Sequence, residues 1–176
     1  YFLASQSQFE VVRAGIQKLS EVSDVLLGGA ERPTDKGFFV TPTLLKAKDV
    51  HADILHSLEV FGPCATILPY SGDAVEAIDL INKGGGCLVS SIYSNDKRWT
   101  GEVVLGTAPW VGRLWICNDK VADQAYQPGM VLPMTIHGGP GRAGGRPGRR
   151  SGVTEPLRTL RSSIRLSRRS SAPTPR

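Results

Sequence analysis

CATILPYSGDAVEAIDLINKGGGCLVSSIY, residues 64–93, places an amphipathic segment between two apolar ones. Ala65–Pro69 and Leu88–Tyr93 are strand candidates, and Asp73–Asn82 predicts a helix that stops at Gly84-Gly85-Gly86. A strand, a helix and a strand with tight connections predict a βαβ unit, and therefore a parallel sheet in an α/β fold. The helix positions expected to face inward are Ala74, Ala77, Ile78 and Ile81.

The sequence before this unit predicts one long helix and two β segments. Ser7–Val22 is amphipathic, and Ser7 with Glu10 fits a capping box. Asp24–Leu27 predicts a short strand. Phe38–Leu45 predicts a second β segment that Pro42 interrupts, which is typical of an edge strand or a bend. The apolar face of the helix consists of Phe9, Val12, Ile16, Leu19 and Val22.

Two further elements follow residue 93. Gly112–Asn118 predicts a strand with Leu114 and Ile116 on one side, and the ambiguous segment Asp96–Pro109 favours a helix. A chain of 176 residues has room for one domain with a real core. Because it starts at Tyr1, without an initiator Met, we expect a fragment.

The basic character of the chain belongs to its last 36 residues. Residues 141–176 contain 10 Arg and one acid, Glu155, whereas residues 1–140 contain 11 Lys+Arg and 15 Asp+Glu; the net charges of +9 and −4 give the total of +5. Arg, Ser, Gly and Pro dominate residues 141–176, which show almost no periodic apolar face. We therefore predict a folded part at 1–140 and a disordered tail at 141–176.

Composition also limits the setting. No apolar run approaches the roughly 20 residues of a membrane span, so we expect a soluble protein with no membrane contact. Three widely spaced cysteines suit neither a disulfide framework nor a zinc site, which favours a reducing, cytoplasmic setting. His51, His56 and His137 fit no metal spacing, so no metal site is predicted.

Glu59-Val60-Phe61-Gly62-Pro63 is the main candidate for a functional site. A carboxylate on a rigid loop before a strand suits binding to a pair of sugar hydroxyls, and an aromatic ring nearby suits packing beside a flat cofactor. The structural alternatives are a solvated loop carboxylate for Glu59 and a core-packing ring for Phe61.

This pentapeptide resembles the Glu-x-Phe-Gly-Pro motif of the NAD(P)-dependent aldehyde dehydrogenase superfamily, in which the Glu hydrogen-bonds the nicotinamide ribose and the Phe packs beside it. The resemblance covers nearly all of residues 7–144 and implies the C-terminal, incomplete part of a catalytic domain. Its segments, in the family's order, are Gln8–Glu10 with its helix, Leu26–Gly29, Gly37–Leu44, Glu59–Pro63 and Gly112–Asn118.

The resemblance implies oxidation of an aldehyde to an acid with NAD or NADP in a homo-oligomeric parent enzyme. A Cys thiolate attacks the aldehyde, hydride passes to the nicotinamide, and water hydrolyses the thioester. We expect the nucleophile, the general base and the Rossmann domain to lie upstream of Tyr1, which would leave this chain inactive alone. Residues 137–145, HGGPGRAGG, are similar to a branch that holds the phenylacetate-degradation bifunctional enzyme and dehydroadipyl-CoA semialdehyde dehydrogenase. The expected substrate is therefore a CoA-linked semialdehyde.

Other motifs favour structural roles. Cys64, Cys87 and Cys117 each adjoin or occupy an apolar strand, so we expect buried small hydrophobes and no catalytic residue. Residues 139–144 match G-x-G-x-x-G formally, but no strand and helix flank them in the required order, so we expect a surface loop.

Residues 141–176 leave two interpretations. Arg, Ser, Pro and Gly in excess without Lys are typical of a shifted reading frame or an unrelated extension. The alternative is a basic arm that binds nucleic acid, which the lack of aromatic residues argues against. The competing functional class is a non-catalytic interaction module or a basic-tailed nucleic-acid binder.

Overall fold

Helices and strands alternate along the computed structural model, which describes residues 1–124 and 138–144. The chain divides into two units, Tyr1–Gly84 and Gly85–Arg176. The prediction of an α/β fold is confirmed. The predicted disorder of 141–176 lies outside the described residues except at Gly141–Gly144, which form a short 3-10 helix. Among the helices of the described residues, none has the length and apolarity needed to cross a membrane.

The first unit contains three strands and three helices. Its sheet has the order β1-β2-β3, with β1 antiparallel to β2 and β2 parallel to β3. The elements in chain order are α1 Gln6–Glu21, β1 Ser23–Leu27, β2 Thr43–Ala47, α2 Asp53–Ser57, β3 Cys64–Ile67 and α3 Ala74–Lys83.

The described residues of the second unit include two parallel strands. β4 and β5 pair in parallel, and the helix α4 connects them. α4 confirms the helix predicted for the ambiguous segment Asp96–Pro109. The elements are β4 Cys87–Tyr93, α4 Lys97–Thr107, a 3-10 turn at Ala108–Trp110, β5 Val111–Cys117 and a 3-10 helix at Asp119–Gln124.

The predicted βαβ unit is wrong in its pairing. The strand–helix–strand segment exists, but β3 pairs with β2 and β4 pairs with β5, so its two strands belong to different sheets. The crossovers that return the chain to a parallel neighbour contain α2 and α4 instead of α3. Strand pairing depends on non-local contacts, which the local apolar pattern does not encode.

Helix α1 covers the core of the first unit. Phe9, Val12, Ile16 and Leu19 are buried, as the apolar periodicity predicts. The predicted capping box at Ser7 is wrong, because Ser5 has the extended backbone of an N-cap, with φ −148°, and its Oγ accepts from the Gln8 amide at 3.2 Å. The central cluster consists of Leu3, Phe9, Val12, Ile16 and Val40.

β2 begins one residue after Pro42, which corrects the predicted segment Phe38–Leu45. The Thr43 amide donates to Pro63 O at 2.8 Å. Pro42 has no amide hydrogen and could not donate such a bond. β2 is the central strand of its sheet, not an edge, and Phe39 only forms an isolated bridge with Phe2.

Helix α3 begins at the predicted place, because the Asp73 carboxylate accepts from the amides of Val75 and Glu76. Its buried side consists of Ala74, Ala77 and Leu80, at steps of three. The predicted inward position Ile81 is 38% exposed, because the buried stripe continues to Leu80 instead.

Candidate functional site

Residues 58–63 form a tight loop between α2 and β3. The Gly62 amide donates to Val60 O at 2.9 Å, and the Cys64 amide donates to Gly62 O at 2.8 Å. Two successive short-range hydrogen bonds turn the backbone sharply before β3 begins. The parallel pairing of β3 with β2 then holds the far end of the loop in the sheet.

Helix α1 supports this loop from one side through Val60 and Gly62. A Cβ placed on Gly15 would lie 2.8 Å from Val60 Cγ2, so Val60 packs directly on the helix backbone. A Cβ on Gly62 would lie 2.5 Å from Val12 Cγ1, so the second contact leaves no room for a side chain either. Val60 is half-buried against the core cluster and anchors the loop.

Glu59 and Phe61, the residues that alternate with this anchor, are exposed. The Phe61 ring is 71% exposed, which excludes the core-packing alternative for that residue. Glu59 is also exposed, and none of the described residues forms a hydrogen bond or an ion pair with its carboxylate. A free carboxylate and an open aromatic face therefore project from one rigid loop.

Phe61 borders an open cavity of about 450 Å³. The Gln8 side-chain amide lies at one side and approaches Phe61 O at 3.5 Å. The walls are mostly apolar, which suits a flat ring better than a charged group. The lining residues are Tyr1, Leu3, Gln8, Phe61, Gly62 and Pro63.

The three cysteines are free thiols. Cys117 is buried, as predicted, whereas Cys64 and Cys87 are only half-buried. Burial raises the pKa of the Cys64 thiol, which disfavours the thiolate that a nucleophile needs. Cys87 Sγ lies 3.2 Å from Ser90 Oγ, a neutral partner.

Metal and phosphate motifs remain without support in the described part of the chain. No group of three metal-ligating side chains is found there. His56 Nε2 lies 2.7 Å from Val50 O, His51 is exposed, and His137 lies outside the described residues. The formal G-x-G-x-x-G ends in a four-residue 3-10 helix, where the Arg142 amide donates to Gly85 O at 3.0 Å.

Sequence reasoning missed the residues that support the loop. Val12 was assigned only to the core, and Gly15 and Gln8 received no role in the site. A glycine in the middle of an amphipathic helix is a usable signal, because it costs about 1 kcal/mol relative to alanine and usually has a packing reason.

Comparison with known proteins places these features in a family context. A profile of the aldehyde dehydrogenase family matches residues 3–129. The 3,4-dehydroadipyl-CoA semialdehyde dehydrogenase of Aromatoleum evansii is 37% identical over 168 residues, covering 89% of this chain and 32% of that protein. Protein MaoC of Klebsiella aerogenes is 36% identical over 145 residues, covering 81% of this chain and 43% of that protein. The chain thus spans less than half the length of either relative.

The fold is also similar to solved structures. A mutant form of aldehyde dehydrogenase from Bacillus cereus superposes with a TM-score of 0.63 and 26% sequence identity. The match covers 78% of this chain and 26% of the Bacillus chain. The described elements therefore correspond to part of a larger α/β protein.

Proposed function

This chain belongs to the aldehyde dehydrogenase family, and we propose that it supplies the nicotinamide-ribose contacts of an enzyme that oxidises an aldehyde to an acid with NAD or NADP. The observation that carries the proposal is the exposure of Glu59 and Phe61 on a loop that Val60 and Gly62 fix to α1. The cofactor, when bound, supplies the nicotinamide ring that accepts a hydride.

Glu59 and Phe61 divide the work of positioning. The Glu59 carboxylate is free to accept hydrogen bonds from two ribose hydroxyls. The Phe61 ring, open to solvent, packs beside the nicotinamide and limits its rotation. A rigid loop suits this role, because orientation of the reacting ring lowers the barrier only when the contacting groups are themselves fixed.

The names of the relatives support a choice of substrate class. One of them is a CoA-semialdehyde dehydrogenase by name, so we assign a CoA-linked semialdehyde of aromatic-compound breakdown as the substrate. Residues 1–140 act as the C-terminal portion of a catalytic domain in a homo-oligomeric, cytoplasmic enzyme. None of the three cysteines serves as the nucleophile, so the chain of 176 residues alone does not turn over aldehyde.

Binding of nicotinamide mononucleotide tests the cofactor contact, because this probe carries the ribose and the nicotinamide without the adenosine half. We expect it to shift the amide NMR signals of residues 58–63, whereas AMP leaves them unchanged. Glu59→Gln should weaken binding, and Phe61→Ala should weaken it further. Glu21→Gln, which alters an exposed carboxylate at the end of α1, is the matched control. Equal affinities of Glu59→Gln and the unaltered chain would refute the contact.

A second measurement tests whether the isolated chain is inactive. Purified chain mixed with NAD or NADP and an aldehyde should give no increase in absorbance at the wavelength of the reduced cofactor. Turnover that is lost on substitution of Cys64, Cys87 or Cys117 by Ser would show that one of these thiols acts as a nucleophile after all.

A further inference from the structure

Two arginines stack on one buried aromatic ring in the first unit. Arg13 Cζ lies 5.2 Å from the centre of the Phe9 ring, and Arg32 Cζ lies 5.3 Å from it. Phe9 is 4% exposed, so the ring is a fixed part of the core. Arg13 lies one turn after Phe9 on α1, and Arg32 lies in the loop between β1 and β2. The fold thus brings two distant cations to the same ring.

Backbone carbonyls fix the orientation of both guanidinium groups. Arg13 Nε donates to Ala30 O at 2.6 Å. Arg32 Nε donates to Thr34 O at 2.8 Å, and its Nη2 donates to Gly37 O at 3.2 Å. Stacking together with these bonds removes much of the freedom that a surface arginine usually has. Both groups are therefore pre-organised.

The charge of both groups is left uncompensated by the described residues. The ion pairs found in this part of the chain involve Lys48, Lys83 and Arg98. In residues 1–124 and 138–144, no carboxylate lies within ion-pair distance of Arg13 or Arg32, although Glu31 and Asp35 flank Arg32 in sequence. The Nη groups of Arg13 also have no acceptor among the described residues. Since both guanidinium carbons lie just over 5 Å from the same ring centre, the two charges are at most about 10.5 Å apart, roughly one Debye length at 0.1 M salt.

We propose that Arg13 and Arg32 bind a phosphate group, either a monoester or a diphosphate, beside the loop between β1 and β2. A guanidinium fork matches two phosphate oxygens, and two fixed cations match the double negative charge of a phosphate or diphosphate. If the two arginines only held the loop, their hydrogen bonds to backbone carbonyls would be enough. That role would leave the remaining guanidinium N–H donors without a function. The Nη groups of Arg13 and Nη1 of Arg32 are the donors that contact the ligand.

CoA is the source of phosphate that fits the proposed substrate, since a CoA-linked semialdehyde carries a diphosphate and a phosphate monoester. This choice of source rests on the proposed function, whereas the phosphate site itself does not. The other sources with the same chemistry are the diphosphate of NAD or NADP, the 2′-phosphate of NADP, and free inorganic phosphate or pyrophosphate.

Titration of the full chain with CoA, pyrophosphate, NADP and NAD tests the site by calorimetry or NMR. We expect CoA and pyrophosphate to bind, and Arg13→Gln or Arg32→Gln to lower their affinity by about tenfold or more, as for loss of a charged hydrogen-bond donor. Arg98→Gln, which removes an arginine paired with Glu102, should change nothing. Arg32→Lys keeps the positive charge but loses the guanidinium fork. Its affinity for CoA and pyrophosphate should therefore lie between that of Arg32→Gln and that of the unaltered chain.

The four ligands separate the outcomes. Pyrophosphate affinity that depends on Arg13 and Arg32 supports the site even if CoA binds no more tightly, and then the source is not CoA. Binding of NADP but not NAD assigns the site to the 2′-phosphate of the cofactor, and binding of both with equal affinity assigns it to the diphosphate that NAD, NADP and CoA share. Affinities for all phosphates that are unchanged in both glutamine variants, while nicotinamide mononucleotide still shifts residues 58–63, overturn the site and leave the proposed function intact. Loss of the nicotinamide response alone rejects the proposed function and leaves the phosphate site standing.

Discussion

At the scale of single residues, Gly15 leaves the space on α1 that Val60 occupies, and Val60 anchors the loop that presents Glu59 and Phe61. An ideal Cβ at Gly15 lies 2.8 Å from Val60 Cγ2, closer than real side-chain contacts allow. This atom belongs to the branched side chain of Val60, which packs against the core and therefore has little space in which to move. The position of the exposed pair therefore depends on a residue more than 40 positions away in sequence.

Gly15→Ala should therefore displace the loop in spite of the better helix propensity of alanine. We expect a loss of about 1–3 kcal/mol in unfolding free energy from overpacking, together with weaker binding of nicotinamide mononucleotide. Gly101→Ala is the control, since a Cβ there meets nothing within 4 Å and should stabilise α4 by up to about 1 kcal/mol. Denaturant titration measures the free energies, and NMR measures binding. The double substitution Gly15→Ala with Val60→Ala should recover part of the binding; no recovery contradicts the packing argument.

Asp53 and Lys83 form a second local interaction, between the start of α2 and the end of α3. Lys83 Nζ lies 2.9 Å from Asp53 Oδ1 and also donates to His51 O. The hydrogen bond and charge of Lys83 lower the pKa of Asp53 from its ordinary value of 3.8. A lowered pKa in the folded state means that the contribution of the pair is complete above the ordinary value and disappears as the pH falls through the folded-state value.

Lys83→Met should raise the pKa of Asp53 back towards 3.8, because both the hydrogen bond and the positive charge are removed. NMR titration of the Asp53 carboxyl carbon between pH 2 and pH 6 measures this directly. Lys18→Met on α1 removes a charge far from the pair and should leave the titration unchanged. An identical Asp53 midpoint in the Lys83 variant would show that the ion pair does not persist in solution.

At the scale of elements, the starts of α3 and α4 are set by aspartate side chains that the sequence makes visible. Asp73 caps α3, and Asp96 caps α4 by accepting from the amides of Arg98 and Trp99 at 2.8 and 2.9 Å. The sequence predicts the start of the first of these helices at Asp73, whereas Asp96 is only the first residue of an ambiguous segment. α1 shows the limit of such signals, since Ser5 and Ser7 are equally good candidates by residue type and only the backbone shows which one is the cap.

Asp73→Ala should destabilise the first unit by about 1 kcal/mol, because the amides of Val75 and Glu76 lose their acceptor. Asp79→Ala lies inside the same helix, is exposed, and should be neutral or slightly stabilising, because alanine has the higher helix propensity. Denaturant unfolding followed by circular dichroism compares the two. Equal effects of both substitutions would mean that the cap contributes nothing.

Strands show a different balance. Their existence follows from short apolar segments. β1, β3, β4 and β5 lie within two residues of the predicted ranges, whereas β2 begins five residues after the predicted start at Phe38. Their partners do not follow, as β3 and β4 show.

The outer face of the three-stranded sheet carries exposed apolar residues, with Leu27 at 62% and Ile67 at 44%. A sheet face that carries apolar residues normally packs against another layer, which agrees with a chain that matches only part of longer relatives.

At the scale of the whole molecule, charge divides the chain more sharply than composition does. The net charge is +9 over residues 141–176 and −4 over residues 1–140. Nine of the ten tail arginines lie in 145–176, outside the described residues. Removal of residues 145–176 therefore tests whether binding to an acidic partner depends on this segment or on the described units.

Duplex DNA should bind the full chain only at low salt and without sequence preference, because binding through phosphate contacts weakens steeply with salt. A chain that ends at residue 144 should not bind, since it loses nine arginines. Fluorescence anisotropy at several salt concentrations measures both. Binding that persists at physiological salt, or that the truncated chain retains, would favour a dedicated nucleic-acid site over the enzyme-family role.

The sequence by itself determined the α/β class, the start of α3 at Asp73, the buried face of α1, the charge division and the family motif at Glu59–Pro63. These features depend on periodicity, on side-chain chemistry next to backbone amides, or on short ordered motifs, all of which are local. Tertiary structure alone decided that β3 pairs with β2, that Val60 and Gly62 pack on α1 while Phe61 stays exposed, and that Arg13 and Arg32 meet on Phe9. Each of these joins residues far apart in the chain, and such contacts are selected by the packing of the whole unit.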